Sequence, residues 1–131
     1  MMPREAFDLA QDNKGSVRSD WNQVSVKIMK DALMFKFTQH PNLKKLLIDT
    51  GDATLVEHTV NDKFWGDGGD GSGQNMLGRL LVEVRVNLGG KPAAHPYVPK
   101  SSHVSKSSHS WGIPFVLAAA AILVGSYYFL G

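Results

Sequence analysis

The last 25 residues of this 131-residue chain carry no formal charge, and this feature limits the fold more than any other. Every Lys, Arg, Asp and Glu lies at or before Lys106. As a helix, residues 112–131 would extend about 30 Å, which matches the hydrocarbon core of a bilayer. Trp111 and Tyr127-Tyr128 lie near its two ends, where amphipathic rings favour the interface. A folded part of roughly 90 residues is too small to surround such a helix, so we predict a transmembrane helix at 111–131.

The distribution of charge also predicts how the chain is placed in the membrane. Lys91, Lys100 and Lys106 precede the apolar run and no charge follows it, so the positive-inside tendency places the folded domain in the cytosol. We therefore expect a single-pass, tail-anchored protein that is inserted after synthesis. The net charge of +2, with acidic and basic residues interleaved, does not favour nucleic acid as a partner. The absence of cysteine excludes a disulfide scaffold and a Cys-ligated zinc site.

A linker is predicted between the folded part and the membrane, at residues 90–110. It contains three prolines and a duplicated Lys-Ser-Ser-His motif at residues 100–103 and 106–109. Such a composition buries too little apolar surface to fold, so we expect a disordered tether. The paired histidines could suggest a metal site, but the composition favours a duplicated piece of tether.

Residues 1–89 are predicted to form one mainly α-helical domain. The first helix begins near Ser19 or Asp20 and ends at His40-Pro41, because a residue before proline avoids the helical region. A second runs from Pro41 to Asp49 with Gly51 as a left-handed cap, and a third runs from about Asn75 to Gly89. Their predicted buried faces are Trp21, Val24, Ile28, Ala32 and Phe35, widened by Met29, Leu33 and Phe37; then Leu43, Leu46 and Leu47; then Met76, Leu77, Leu80, Leu81, Val84 and Leu88.

Between the second and third helices, residues 54–59 are typical of a short strand, and residues 65–73 form a loop in which five of nine residues are glycine. The spacing of residues 66–71 matches a dinucleotide-binding fingerprint, but no buried strand precedes it directly and the helix begins only near Asn75. A P-loop lysine is absent, and Asp67 and Asp70 do not have calcium-loop spacing. These three interpretations are therefore rejected.

A longer pattern around this loop resembles the signature of the NADAR family, the YbiA-like N-glycosidases. The pattern consists of Leu55-Val56-Glu57-His58-Thr59, Asn61-Asp62, Trp65-Gly66-Asp67-Gly68-Gly69, Gly71, Gly73, Asn75, Leu77-Gly78, Leu81 and Arg85, with Asp20-Trp21, Met29, Ala32-Leu33 and Lys36-Phe37 upstream. The resemblance covers about residues 6–88. It implies an α-rich domain that hydrolyses the N-glycosidic bond of a phosphorylated ribosyl compound, either an early riboflavin-pathway intermediate or an ADP-ribose-like molecule. It implies no metal and no organic cofactor.

The residues themselves suggest roles in such a reaction. Cleavage of a C–N bond to ribose needs a carboxyl group near the sugar, and Glu57 and Asp62, at the start of the loop, are the candidates. For Glu57 a structural hydrogen bond to the loop is the alternative. The candidate substrate-binding residues are Trp65, Gly66, Asp67, Gly68, Gly71, Gly73, Asn75 and Arg79.

Each kind of binding residue has its own expected contact. A glycine-rich turn before a helix can present backbone amides to phosphate. Trp65 would either stack on a base or pack in the core, and Asn75 would bond the sugar or the loop. Arg79 and Arg85 would either meet phosphate or lie on a solvated helix face.

One departure from the family pattern bears on catalysis. The family's aromatic-rich Ser-Glu-His-Tyr-Phe-Gln-like helix and the Phe-Asn-Phe-like segment before it are not found in this sequence. The chain is therefore expected to be a truncated copy, an incomplete gene model, or half of a site that a second chain completes. Two functions follow: a membrane-anchored N-glycosidase, or a module that binds ribosyl phosphates or ADP-ribose without turnover.

Overall fold

The computed structural model describes residues 5, 8–9 and 12–100 of the chain. These residues fall into two units, one up to residue 25 and one from residue 26 onward. In the first unit a short 3-10 helix, Lys14–Ser16, precedes a 2.5 Å ion pair between Arg18 and Asp20. Helix α1, Trp21–Gln39, then begins and continues into the second unit.

The second unit contains the rest of α1, together with helices α2, Pro41–Asp49, and α3, Met76–Asn87. All three helices agree with the sequence-based prediction. Proline at the first position of α2 starts the helix, because the missing amide proton would have no partner there in any case. Gly51 and Gly89, which follow the ends of α2 and α3, have φ angles of 64° and 94°, a conformation that glycine adopts without steric cost.

The core of this unit lies between one face of each helix and the segment that joins α2 to α3. Helix α2 contacts α3, and a 2.8 Å ion pair between Lys30 and Glu83 joins α1 to α3. The apolar side chains that are buried are Met29, Leu33, Phe37, Leu47, Leu55, Trp65, Leu77, Leu80, Leu81 and Val84. Helix α3 therefore buries the face that its spacing predicted.

The predicted buried face of α1 is confirmed for the residues that widen it and wrong for Ile28 and Phe35. Phe35 is 65% exposed and Ile28 is 37% exposed, whereas Met29, Leu33 and Phe37 are in the core. Both sets repeat at helical spacing, and the elements that pack against the helix select one of them. Similarly, in α2 only Leu47 of the predicted stripe is buried, while Leu46 is 53% exposed.

The predicted strand at residues 54–59 is also not found, and the described part of the chain contains no β-strand. This segment has no neighbouring strand to form a ladder with. Its backbone bonds to side chains instead: the Glu57 amide donates to Asn75 and the Thr59 amide donates to Asp67. The segment is thus an extended connection that is held by α3 and the glycine loop.

Residues 91–100, predicted as the first half of a disordered linker, bond to the folded unit. The Ala94 amide donates to the Asp52 carbonyl at 2.8 Å, and the Lys100 amide donates to the Gly71 carbonyl at 2.8 Å. The Tyr97 hydroxyl reaches the Gly73 and Gly71 carbonyls at 2.8 and 3.1 Å. We call residues 91–100 the strap. Composition alone did not show that its backbone and one tyrosine have specific partners on the glycine loop.

No helix within residues 5, 8–9 and 12–100 has the length and hydropathy needed to cross a membrane. The predicted transmembrane helix at 111–131 and the second half of the predicted linker lie outside the described residues.

Candidate functional site

The glycine loop, residues 65–73, connects the extended segment to α3 and is held together by its own backbone. Gly68, Gly69 and Gly71 have φ angles of 74°, 80° and 85°, so the loop follows the left-handed path that its composition predicted. At Gly73 a side chain would overlap the chain itself, because a Cβ there would lie 2.5 Å from the Gly66 carbonyl oxygen. The glycines are therefore needed for close approach of one part of the loop to another.

Most amides of the loop have internal acceptors. Gly68 donates to the Asp62 carbonyl at 3.1 Å, and Gly71 and Gly73 donate to the Asp67 carbonyl at 3.1 and 2.8 Å. The first amides of α3 are also used, since Met76 and Leu77 donate to carbonyls of residues 64 and 65. A phosphate could bind these amides only by displacing those bonds. Of the predicted phosphate-binding glycines, Gly68, Gly71 and Gly73 therefore have a structural role through their amides. Gly66 has one through close packing, since a Cβ there would lie 2.9 Å from the Glu57 carbonyl oxygen.

Asn75 joins the extended segment to the start of α3. Its side chain is fully buried; Oδ1 accepts from the Glu57 amide at 2.9 Å and Nδ2 donates to the Leu55 carbonyl at 2.9 Å. Its φ angle of 50° is in the left-handed region, which asparagine tolerates better than most residues. The Asn75 side chain thus bonds the protein backbone and not a position open to a sugar. It fixes the backbone that carries Glu57.

The carboxyl groups of Glu57 and Asp62, the two predicted catalytic residues, are close enough to interact electrostatically. Burial raises the pKa of Glu57, and the nearby carboxylates of Asp62 and Asp67 raise it further. Asp62 Oδ1 accepts from the amides of Phe64 and Trp65 at 2.7 and 2.6 Å, which forms the turn into the glycine loop. Glu57 is half-buried and is therefore a carboxyl group that retains its proton to a higher pH than usual.

Asp67, predicted to bind substrate, is 6% exposed and has protein partners on both oxygens. Oδ1 accepts from the amides of Gly69 at 2.8 Å and Thr59 at 3.2 Å, and Oδ2 lies 2.8 Å from His58 Nδ1. Burial raises the pKa of Asp67, but the hydrogen bonds from His58, Gly69 and Thr59 outweigh that effect and lower the pKa below its ordinary value. Asp67 is thus an ionised carboxylate inside the site, and its histidine partner was not among the predicted site residues.

The remaining predicted side chains divide between core and surface. Trp65 is 3% exposed and its ring meets Phe64 edge-on with centroids 4.9 Å apart, which corresponds to the packing alternative rather than to stacking on a base. Arg79 is exposed; its Nε donates to the Gln74 carbonyl at 2.9 Å and its guanidinium lies 5.7 Å from the centre of the Tyr97 ring. Arg79 is therefore a cation at the rim of the glycine loop.

Arg85 does not lie on the solvated helix face that was one of its two predicted alternatives. It is fully buried and donates to Thr50 Oγ1, to the Ala53 carbonyl and to the Lys91 carbonyl at 2.8 to 2.9 Å. These bonds join the end of α2, the extended segment and the start of the strap. Arg85 therefore supports the fold behind the site.

The NADAR domain profile matches residues 1–89, and the matched region includes Glu57, Asp62, His58 and Asp67. The chain belongs to the NADAR family.

Three relatives illustrate what this NADAR domain is similar to. It is 46% identical over 86 residues to N-glycosidase YbiA of Escherichia coli, an alignment that covers 66% of this chain and 54% of that protein. An N-glycosidase of Nostoc punctiforme is 40% identical over 86 residues, covering 66% of this chain and 55% of its own length. A riboflavin biosynthesis protein of Vibrio vulnificus is 44% identical over 84 residues, an alignment that covers 64% of this chain and 23% of that protein.

The alignments thus span about half the length of the N-glycosidases that the NADAR domain matches. No solved structure shows significant similarity to it. The matched region ends at residue 89, so the strap that bonds the glycine loop lies beyond the family domain. The family motif could have drawn attention to His58 from the sequence, because His58 lies inside it, whereas no sequence signal pointed to Tyr97.

Proposed function

We propose that this NADAR domain hydrolyses the N-glycosidic bond of a phosphorylated ribosyl compound, of the riboflavin-pathway or ADP-ribose-like kind. Relatives that are 40–46% identical over 86 residues are named N-glycosidases, and a further relative is named a riboflavin biosynthesis protein. The observation that carries the proposal is the state of Glu57, a half-buried carboxyl whose pKa is raised by burial and by two neighbouring carboxylates.

Such a carboxyl suits the difficult step of the reaction. The nitrogen that leaves ribose must gain a proton as the C–N bond breaks, and a carboxyl that keeps its proton to a higher pH than usual can supply it. Once ionised, the same group faces a sugar with oxocarbenium character and stabilises its positive charge. The Asn75 side chain and the Asp67 amide, which donates to the Glu57 carbonyl at 2.9 Å, hold the backbone of Glu57 in place for this role.

The phosphate of the substrate is proposed to meet side chains at the rim of the loop. Most of the loop amides already have acceptors, so cations are the better candidates. Arg79 is exposed beside the loop, Lys63 packs against Gly68, and Lys100 of the strap packs against Gly71. Planar and flexible cations of this kind are the usual protein partners of phosphate.

We further propose that residues 111–131 anchor the domain to a membrane as a single span, with the folded domain on the cytosolic side. The support is the charge-free apolar run, its flanking aromatic residues and the lysines that precede it. Membrane attachment would keep turnover close to a bilayer surface, and it does not alter the chemistry proposed for the site.

The catalytic role of Glu57 is tested by Glu57→Gln in the full-length chain, kept in mild detergent because of the apolar run. A 5-phosphoribosyl aminopyrimidine is the substrate, and ribose 5-phosphate release is measured. We expect kcat to fall roughly a hundredfold or more with KM little changed, because a general acid acts mainly on the transition state. The matched control is Glu83→Gln, since Glu83 lies on α3 in an ion pair with Lys30. Equal activity of Glu57→Gln and the control would remove Glu57 from the mechanism.

A further inference from the structure

His58 and Asp67 form a pair at the entrance to the glycine loop. His58 Nδ1 lies 2.8 Å from Asp67 Oδ2. The Asp67 side chain is 8% exposed, whereas the His58 side chain is 72% exposed. A buried carboxylate thus holds one nitrogen of an imidazole whose remainder faces solvent.

The pair fixes which nitrogen of His58 carries the proton. An ionised carboxylate can only accept hydrogen bonds, so Nδ1 is the donor, and in the neutral imidazole Nε2 is then an unprotonated acceptor. No donor to Nε2 is found among residues 5, 8–9 and 12–100. His58 therefore presents a free basic nitrogen on the outer side of the site.

The Asp67 carboxylate is held in the orientation that faces His58, because its other oxygen accepts hydrogen bonds from the amides of Gly69 and Thr59. Its own amide donates to the carbonyl of Glu57, which ties the pair to the backbone of the proposed general acid. Hydrogen bonds keep the pKa of Asp67 low despite its burial, so the carboxylate stays ionised. This arrangement of a base oriented by a buried carboxylate is the one that hydrolases use to activate a proton acceptor.

The other acidic groups around the loop are poorer bases. Glu57 is half-buried and is the proposed proton donor, so it is not available to accept the proton of water. One oxygen of Asp62 accepts two backbone amides, and hydrogen bonds with Ser72 lower the pKa of Asp70. A water molecule attacking the sugar must lose a proton to some group, and His58 offers an exposed lone pair on Nε2 for it.

We propose that His58 is the general base that activates water in the N-glycosidase reaction, and that Asp67 is its positioning residue. This rests on the function proposed above. Nε2 takes a proton from water as the water oxygen bonds to the anomeric carbon of the ribosyl group. The C–N bond breaks, its electron pair goes to the leaving nitrogen, and that nitrogen takes the proton of Glu57. His58 then releases its proton to solvent and Glu57 regains one, so the net reaction consumes one water.

The alternative is that the pair only secures the loop, and two substitutions separate these roles. In His58→Asn the amide N–H occupies the position of Nδ1 and can still donate to Asp67, but nothing replaces Nε2. In His58→Gln the amide group lies near the position of Nε2 and the bond to Asp67 is lost. A structural role predicts that His58→Asn is active and that His58→Gln is impaired.

For a general base we expect both variants to lose about a hundredfold or more in kcat, with KM little changed, while His58→Asn unfolds at the wild-type temperature. Asp67→Asn should lower kcat similarly, because an amide NH₂ facing Nδ1 favours the tautomer in which Nε2 carries the proton. Nitrogen-15 NMR of the His58 ring reads that tautomer directly and does not depend on turnover. The control is His40→Asn, since exposed His40 precedes α2 and makes no side-chain cap there.

Full activity of His58→Asn in a chain whose wild type is active would overturn the role of His58 and leave the proposed function standing. A wild-type chain with no turnover would overturn both. A His58 ring with the proton on Nε2 in the wild type would overturn the positioning role of Asp67. Loss of kcat in both His58 variants, with a stable His58→Asn and an Nδ1-protonated wild type, is the expected result.

Discussion

Replacing Asn75 by alanine should destabilise the domain by about 3 to 7 kcal/mol. The substitution leaves two buried backbone groups without their partner, the Glu57 amide and the Leu55 carbonyl. Each unsatisfied group costs about 1 to 3 kcal/mol. Alanine also has to adopt the left-handed conformation of residue 75, which adds about 1 kcal/mol. The sum is a large fraction of the roughly 5 to 15 kcal/mol that stabilise a typical domain.

A second substitution at the same position separates the two contributions. Asn75→Gly loses the same hydrogen bonds but accepts a φ of 50° without steric cost, so it should be more stable than Asn75→Ala by about 1 kcal/mol. The control is Asn87→Ala at the exposed end of α3, which should change stability by less than about 0.5 kcal/mol.

The assay is urea unfolding of the full-length chain in mild detergent, followed by circular dichroism and by tryptophan fluorescence. Trp65 is buried and lies ten residues before Asn75 in the chain, so the fluorescence of its indole ring reports this region. An Asn75→Ala variant within 1 kcal/mol of wild type would refute the reasoning that this side chain holds the extended segment. An Asn75→Gly variant less stable than Asn75→Ala would refute the contribution of backbone conformation.

Three further changes test other parts of the account. Lys36 is buried, and burial lowers its pKa to about 8. The unfolded lysine holds its proton to a higher pH, so the free energy of unfolding of wild type relative to Lys36→Met should rise between pH 8 and 10, by up to about 3 kcal/mol. A stability difference between the two proteins that stays constant from pH 8 to 10 in thermal unfolding experiments would contradict this. Tyr97→Phe removes the hydroxyl bond to the glycine loop and should cost about 1 kcal/mol and speed hydrogen exchange of the Lys100 amide; unchanged exchange would mean that the strap does not depend on it. Deleting residues 112–131 should move the protein from carbonate-washed membranes to the soluble fraction, and continued sedimentation would show that another segment binds the membrane.

The sequence predicted the helices well because their signals are local. Pro41, Gly51 and Gly89 mark helix ends through their own backbone chemistry, and the structure has the ends where these residues predicted them. The buried face of α1 was not predictable in the same way. Phe35 and Phe37 both fit an apolar stripe, and only the packing of distant elements decides that Phe37 is buried and Phe35 exposed.

Within the site, residue types were predictable and partners were not. The family motif identified Glu57, Asp62 and Asp67, but the acceptors of the loop amides depend on how the chain folds back on itself. The same holds for the segment at 54–59, whose residues favour a strand while its partners are the side chains of Asn75 and Asp67. The strap shows the limit of composition, because one tyrosine hydroxyl and a few backbone amides tie it to the glycine loop.

Turnover by the wild-type chain tests the central claim most directly. A 5-phosphoribosyl aminopyrimidine is incubated with the purified full-length protein, and proton NMR follows ribose 5-phosphate and the free aminopyrimidine as they form, while calorimetry measures binding to the Glu57→Gln variant. We predict that both products appear in equal amounts over many turnovers and that Glu57→Gln binds the compound without releasing them. Binding by the wild type with no product over the same period would contradict the account, and it would show a domain that binds ribosyl phosphates without cleaving them.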